Sequence, residues 1–311
     1  MRVSRLQFRR RIAAAILLAA IGAGLPAAAF AQAAEPDGGG IRAGVLPKTW
    51  PVSGPTCPAK PEFVVHAYND DLLLLRESGC SNYEKPFLFL IFGKERALLL
   101  DTGAGETDVV EVVDRVMAEW SHRRGRAAPP LVVAHTHAHG DHTSGDAAFR
   151  ARAATTVVDL SPAAVQAFFG FRDWPATPVT YDLGDRVLDI IAIPGHEPSS
   201  IAVYDRSTAV LFTGDTLYPG RLYVRDAAAF SASVQRLVDF TDGKLVAHIL
   251  GNHIEERRTP FLDYTVGTVT QPDEHALELG RGELLELNAA LRAMQGNVRR
   301  EAHRDFTIWP K

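Results

Sequence analysis

The sequence predicts an α/β protein in which two β-sheets pack against each other with helices outside. Three observations lead there. Apolar runs of strand length alternate with helically spaced patterns; the order strands, helix, strands, helix comes in two similar rounds; and no short-period repeat or low-complexity tract interrupts them. The 311 residues are 46% apolar and 23% charged, with 2 Cys. That composition excludes a disordered, collagen-like or disulfide-framework protein, and the chain is long enough to bury most of its apolar surface.

Phe63 to His66, Leu72 to Arg76, Phe87 to Phe92 and Ala97 to Leu100 follow one another closely, as in an antiparallel meander. Thr107 opens a helix in which Val109, Val112, Val113, Val116, Met117 and Trp120 recur at helical spacing. Leu131 to Ala134 and Thr155 to Val158 are the next strands. Ser161-Pro162 then supplies an N-cap and a first-turn proline for a helix through Phe169. A second meander runs over Arg186 to Ile193, Ser200 to Tyr204 and Ala209 to Phe212. A helix at Ala227 to Phe240, a strand at Leu245 to Leu250, and C-terminal helices at Asp273 to Leu279 and Gly282 to Met294 complete the chain.

The beginning reads as an address. Arg2, Arg5, Arg9, Arg10 and Arg11 are the only charges before Glu35, and they precede an uncharged run from Ile12 to Phe30 that ends in Ala29-Phe30-Ala31. A basic start, an apolar stretch and a small-x-small site make a secretory signal, with cleavage expected after Ala31. A retained membrane anchor is the alternative, since the run is nearly long enough to span a bilayer; Gly22, Gly24 and Pro26 argue against it. The arginine cluster leaves twin-arginine export open beside the general route. Cleavage takes five positive charges from the formal −4 and leaves a mature chain at −9. Such a chain is a poor binder of nucleic acid or anionic lipid, and its expected address is periplasmic or extracellular, with no stable membrane anchor once the signal is gone. The division is then signal 1–31, a Pro/Gly-rich leader 32–61 and a catalytic domain 62–311. In an oxidising compartment Cys57 and Cys80 are expected to pair, tying leader to domain and adding about 3 kcal/mol. Two separate buried thiols are the alternative.

The chemistry lies where strands end. Leu131 to Ala134 runs into His135-Thr136-His137-Ala138-His139-Gly140-Asp141-His142; the strand ending at Ile193 runs into Pro194-Gly195-His196; Phe212 leads to Thr213-Gly214-Asp215; and Leu250 leads to Gly251-Asn252-His253. Four such strands lying side by side with one polarity would gather these loops at one edge, where α/β folds place ligands. Imidazole and carboxylate suit zinc, iron or manganese. Seven ligands, His137, His139, Asp141, His142, His196, Asp215 and His253, are too many for one tetrahedral zinc and fit two metals sharing a carboxylate. His135 reads as structural.

Thr136-His137-Ala138-His139-Gly140-Asp141-His142 carries the pattern H-x-H-x-D-H, followed in order by His196, Asp215 and His253, and preceded by Leu100-Asp101-Thr102-Gly103. In these motifs, over roughly residues 62–290, the sequence resembles the metallo-β-lactamase superfamily. The resemblance implies a four-layer αβ/βα sandwich with a dinuclear site at one edge. His137, His139 and His196 would hold the first metal, Asp141, His142 and His253 the second, and Asp215 would bridge them, with Asp101 orienting the site. The implied reaction is hydrolysis, in which hydroxide generated between two divalent metals, zinc foremost with iron or manganese as options, attacks an ester, thioester or lactone carbonyl of a small-molecule substrate. Asp141 is the candidate proton shuttle.

Members of the family that open β-lactams have Cys or Ser where Asp215 stands, so β-lactam hydrolysis is expected only as a minor activity, and the full ligand set looks like the glyoxalase II and lactonase branch. No basic cluster directly follows His196 of the kind that would grip glutathione carboxylates, since Glu197-Pro198-Ser199-Ser200 is acidic or neutral. Two other classes stay open: a mononuclear iron persulfide dioxygenase using the first-metal ligands with Asp215, and a non-catalytic metal-binding protein. Tyr218, Arg221 and Tyr223, just after Asp215, are substrate-contact candidates with ordinary packing as the alternative. Neither the natural substrate nor the oligomeric state is legible.

Overall fold

Strands that are apolar on both faces are stable only when both faces are covered, and this chain meets that demand with four layers. The computed structural model describes residues 40–311 except 52, 55, 58–62 and 106; the signal and the first part of the leader lie outside the described residues. The first round comprises β1 (Val64–Asn69), β2 (Leu72–Arg76), β3 (Phe87–Phe92), β4 (Ala97–Leu100), α1 (Val109–Arg124), β5 (Leu131–Ala134), α2 (Gly140–Thr143), α3 (Asp146–Ala151), β6 (Thr155–Val157) and α4 (Pro162–Phe169). The second comprises β7 (Val179–Asp182), β8 (Val187–Ala192), β9 (Ile201–Asp205), β10 (Val210–Gly214), β11 (Arg221–Val224), α5 (Ala227–Thr241), β12 (His248–Gly251), β13 (Glu278–Leu279), α6 (Arg281–Met294), β14 (Glu301–Ala302) and β15 (Thr307–Pro310). Strands β1 to β6 form one six-stranded sheet in chain order, and β13-β12-β10-β9-β8-β7 form the other.

Alternation along each strand sorts its side chains between layers. Leu72, Leu74, Phe89 and Leu98 of the first sheet meet Ile190, Val203 and Phe212 of the second in the central core, where the Phe89 and Phe212 ring centroids are 4.6 Å apart. Their neighbours Leu73, Leu75, Leu88 and Leu99 face outward and pack against Val113, Val116 and Trp120 of α1. On the far side Ile191, Ala202 and Leu211 pack against Phe230 and Leu237 of α5 and Leu287 of α6. This is the αβ/βα order the resemblance implied.

Local signals place the helices well. Ser161 Oγ accepts from Ala164 N at 3.2 Å, Pro162 occupies the first turn, and α4 stops at Gly170 with φ 79°. Three corrections are needed. Asp273 to Leu279 is not a helix: Glu274 bridges Arg257 in β-fashion, accepts two hydrogen bonds from buried Arg76 at 2.7 and 2.5 Å, and Glu278–Leu279 pairs with β12. These tertiary contacts hold the backbone extended. The strand expected from Leu245 begins only at His248, and β7 and a third small sheet, β11-β15-β14, lie outside the expected elements. Among the described residues no helix is long and apolar enough to cross a membrane.

Cys57 and Cys80 are disulfide-bonded across 23 residues. Removing the bond with Cys80→Ser is expected to lower stability by about 3 kcal/mol, read as a shift of the urea midpoint at constant slope. An unchanged midpoint would show that the staple adds nothing.

Candidate metal centre

Strand direction builds the site. β4 and β5 are parallel; β8, β9 and β10 alternate, and β10 and β12 are parallel, so β8, β10 and β12 run the same way. The expectation of four strands side by side is corrected in one respect. β5 belongs to the first sheet and the other three to the second, with β9 between β8 and β10. The loops nevertheless converge across the sandwich, where Ile201 N donates to Thr136 O at 2.8 Å.

Two groups of candidate ligands result. In the first, Nε2 of His137 and Nε2 of His196 lie 2.9 and 3.0 Å from Nδ1 of His139, with the three rings nearly perpendicular to one another at 80–88°. Zinc with N ligands at about 2.0–2.1 Å spaces them on a tetrahedron at about 3.3 Å, so this triad needs only slight expansion to hold an ion. The second group is Asp141, His142, Asp215 and His253. Here His253 Nε2 is 3.4 Å from both Asp141 Oδ2 and Asp215 Oδ1, and His142 Nε2 is 3.3 Å from Asp141 Oδ2. Asp215 faces both groups: its Oδ1 belongs to the second, while Oδ2 lies 3.7 Å from His196 Nε2 and 3.9 Å from His137 Nε2. That Oδ1 is buried without a hydrogen-bond partner, as suits a carboxylate meant for a cation.

Three of the ring nitrogens turned away from the groups are tied down to oxygen acceptors. His142 Nδ1 donates to Asp101 Oδ2 at 3.1 Å, His196 Nδ1 to Tyr223 O at 2.9 Å and His253 Nδ1 to Glu84 O at 2.9 Å. Each such bond fixes its ring with Nε2 facing inward, the position of the lone pair once the ring is neutral. Asp101 itself, wholly buried with φ 69°, also accepts from Thr136 N, Thr136 Oγ1 and Asn252 Nδ2 at 2.7, 2.8 and 2.6 Å. Asp101 thus ties the His142 ring to the loop of Thr136 and to the loop of Asn252. His135 donates to Asp146 at 2.8 Å, away from both groups.

Electrostatics divides the groups. Burial holds His137 well below the usual imidazole range and His196 at about 4, while burial and the Arg225 charge lower His139; these rings are neutral, the ligating form. For His142 and His253 burial also opposes charge, but surrounding carboxylates prevail, raising His142 well above its usual value and His253 to about 10. Asp141 and Asp215, which burial alone would raise, are held far below the carboxylate range by those imidazoles. With Asp101, Asp141 and Asp215 around them, protonated rings stand where a metal cation would.

Of the three substrate-contact candidates, Tyr218 and Tyr223 line a cavity of about 300 Å³ over the groups, together with Glu84, Arg225, Glu255 and Lys311. Arg221 does not line it. Its guanidinium is occupied by Glu255 at 2.5 Å, Asp263 at 2.9 Å and Tyr264 O at 2.7 Å, and Tyr218 Oη donates to the Arg221 carbonyl, so Arg221 serves the framework. Sequence reasoning missed Glu84 and Glu255 of this cavity, and also its two long cationic side chains, Arg225 and Lys311. These two cations are 86 positions apart, and only the parallel pairing of β11 with β15 brings their strand ends together.

A four-layer sandwich with adjoining His and Asp groups at one edge defines a metal-dependent hydrolase. Residues 86–248 match the metallo-beta-lactamase superfamily. The chain belongs to that superfamily. It is 26% identical over 228 residues to the acyl-coenzyme A thioesterase MBLAC2 of Bos taurus, covering 62% of this chain and 81% of that protein. To the hydroxyacylglutathione hydrolase of Albidiferax ferrireducens it is 28% identical over 236 residues, covering 68% and 84%. The metallo-beta-lactamase FIM-1 from Pseudomonas aeruginosa, in its mono-zinc form, shares the fold with a TM-score of 0.51 at 17% identity, over 77% of this chain and 98% of that one.

Proposed function

We propose that the chain is an exported dinuclear hydrolase of acyl thioesters whose thiol half is anionic. The observation that carries the dinuclear part is Asp215, which turns one oxygen toward each group. His137, His139 and His196 would hold one ion and Asp141, His142 and His253 the other, with zinc the best match to this nitrogen and oxygen set. Two such ions, when bound, supply Lewis acidity and a nucleophilic water at neutral pH.

The chain's own residues do the rest. Asp141, with a quarter of its side chain exposed, is the more open of the two second-group carboxylates that line the cavity and can carry a proton to a departing thiolate. Tyr218, buried and committed to Arg221 O and Glu255, shapes the wall. Arg225 is exposed at the mouth, and Lys311 Nζ lies 4.0 Å over the Tyr223 ring. Lys311 N donates to Val224 O at 2.9 Å, which keeps these strand ends in step. The segment after His196 carries no basic cluster, and this pair, held by the third sheet, would supply the cationic contact instead. The relatives named for acyl-coenzyme A and hydroxyacylglutathione hydrolysis fit that reading, because both thiols are anionic.

A panel of acyl-coenzyme A, acylglutathione, lactone, phosphoester and β-lactam substrates tests it, with thioesters expected to be turned over fastest. β-Lactam turnover without thioesterase activity would refute it. Arg225→Ala and Lys311→Ala are each expected to raise KM for an anionic thioester about tenfold with kcat little changed, as for loss of a charge-assisted contact. A neutral thioester should show no such rise. Export predicts a periplasmic form beginning at Gln32.

A further inference from the structure

Lys85 is a buried cation with no role in the chemistry above. It is 4% exposed, and burial with the nearby Arg76 charge brings its amine down to about 8. Its Nζ meets no carboxylate among the described residues and instead donates to two backbone carbonyls, Tyr83 O at 2.8 Å and Thr268 O at 2.9 Å. Its backbone is left-handed, φ 50°, a region a long side chain occupies only when its surroundings hold it there. A glycine would take that turn freely; lysine at this position supplies something glycine lacks.

What it supplies is a fixed loop. Residues 77–86 join β2 to β3, and the disulfide at Cys80 and the bond from Gly79 N to Ser53 Oγ, 2.9 Å, hold the near end. The far end is stitched to the loop after β12: Phe87 N donates to Asn252 O at 2.8 Å, and Asn252 Nδ2 donates to Phe87 O at 2.6 Å. Between these anchors the Glu84 carbonyl accepts from His253 Nδ1, and Lys85 is the next residue. By spanning from Tyr83 O to Thr268 O, its ammonium fixes the turn that aims this carbonyl.

We propose that Lys85 is a positioning residue: through the Glu84 carbonyl it holds the His253 ring with Nε2 turned to Asp141 and Asp215, and so sets the metal affinity of that group alone. The inference rests on the dinuclear reading, and its test separates the two. The full chain, stripped of metal, is compared with Lys85→Met and Lys85→Gly in titrations with Zn²⁺ against a chromophoric chelator, while NMR follows solvent exchange of the His253 Nδ1 proton. Glycine accepts the left-handed turn, so that variant carries the test should the methionine variant fail to fold. One of two Zn²⁺ association constants is expected to fall about tenfold, as for loss of an outer partner of a ligating histidine, with the other unchanged. The His253 Nδ1 proton is expected to lose its protection. Two unaltered constants, or a proton protected as in wild type in the folded variants, overturn the proposal. Uptake of a single Zn²⁺ by the wild-type chain would defeat the dinuclear reading instead, and Lys85 would then be decided by the proton alone.

Discussion

Replacing Asp215 with alanine is expected to lower kcat/KM for a thioester by about a thousandfold or more while leaving the fold intact. The size follows from the role. Metal-supplied charge stabilisation is worth several kcal/mol in the transition state, and each 1.36 kcal/mol is a factor of ten. Asp215 is 7% exposed and stands between His137 and His196 on one side and His142 and His253 on the other, so its loss weakens both groups at once. No other carboxylate among the described residues does this: Asp101 is taken up by Thr136, Asn252 and His142, and Asp141 approaches only the second group. Hydrolysis rates and metal content measured on one preparation check the prediction. A variant within tenfold of wild type would remove Asp215 from the mechanism. Preservation of secondary structure by circular dichroism is part of the expected result, because Asp215 lies in a loop after β10 and not in the sandwich core.

Stripping the metal is expected to have the second large effect, on activity and stability together. Activity should fall to background and return on adding Zn²⁺, with Mn²⁺ and Fe²⁺ compared alongside. An ion at a hundred times its Kd adds about 2.7 kcal/mol to the folded state, so two ions lost should lower Tm by on the order of 10 °C for a domain this size. The physical reason is local. Three carboxylates, Asp101, Asp141 and Asp215, surround His142 and push that imidazole and His253 upward, the mark of a space that favours a cation. Full activity in a preparation whose metal content has fallen below about a tenth of an ion per chain would contradict metal dependence.

Much of this was legible in the chain because the information is local. Each ligand follows an apolar run within a few residues, so strand endings such as Val133-Ala134 before His135 or Leu250-Gly251 before His253 mark the site directly. The α4 cap is local too, and Ser161-Pro162 together with Gly170 suffices to bound the helix. What escaped depends on distant partners. Arg221 reads as a free cation until Glu255, thirty-four residues later, closes on it. The stretch from Asp273 looks helical by composition, but pairing of Glu278–Leu279 with β12 and the Arg76 ion pair override that preference. Likewise Arg225 and Lys311 become neighbours only through the parallel register of β11 and β15, which extends from Arg221↔Thr307 to Val224↔Pro310.

The division of ligands between the two sheets has a mechanical meaning. His137, His139, Asp141 and His142 come from the round before α4, and His196, Asp215 and His253 from the round after it, so each group draws on both. An ion held in either group would therefore be a cross-link between halves as well as a reagent. The segment joining them, Phe171 to Pro178, has no fully buried residue and is exposed at four of its eight positions, and a protease nick there would leave two fragments, neither owning a complete set. Bound metal would clamp such fragments together, so that a chelator becomes the agent that lets a cut molecule come apart.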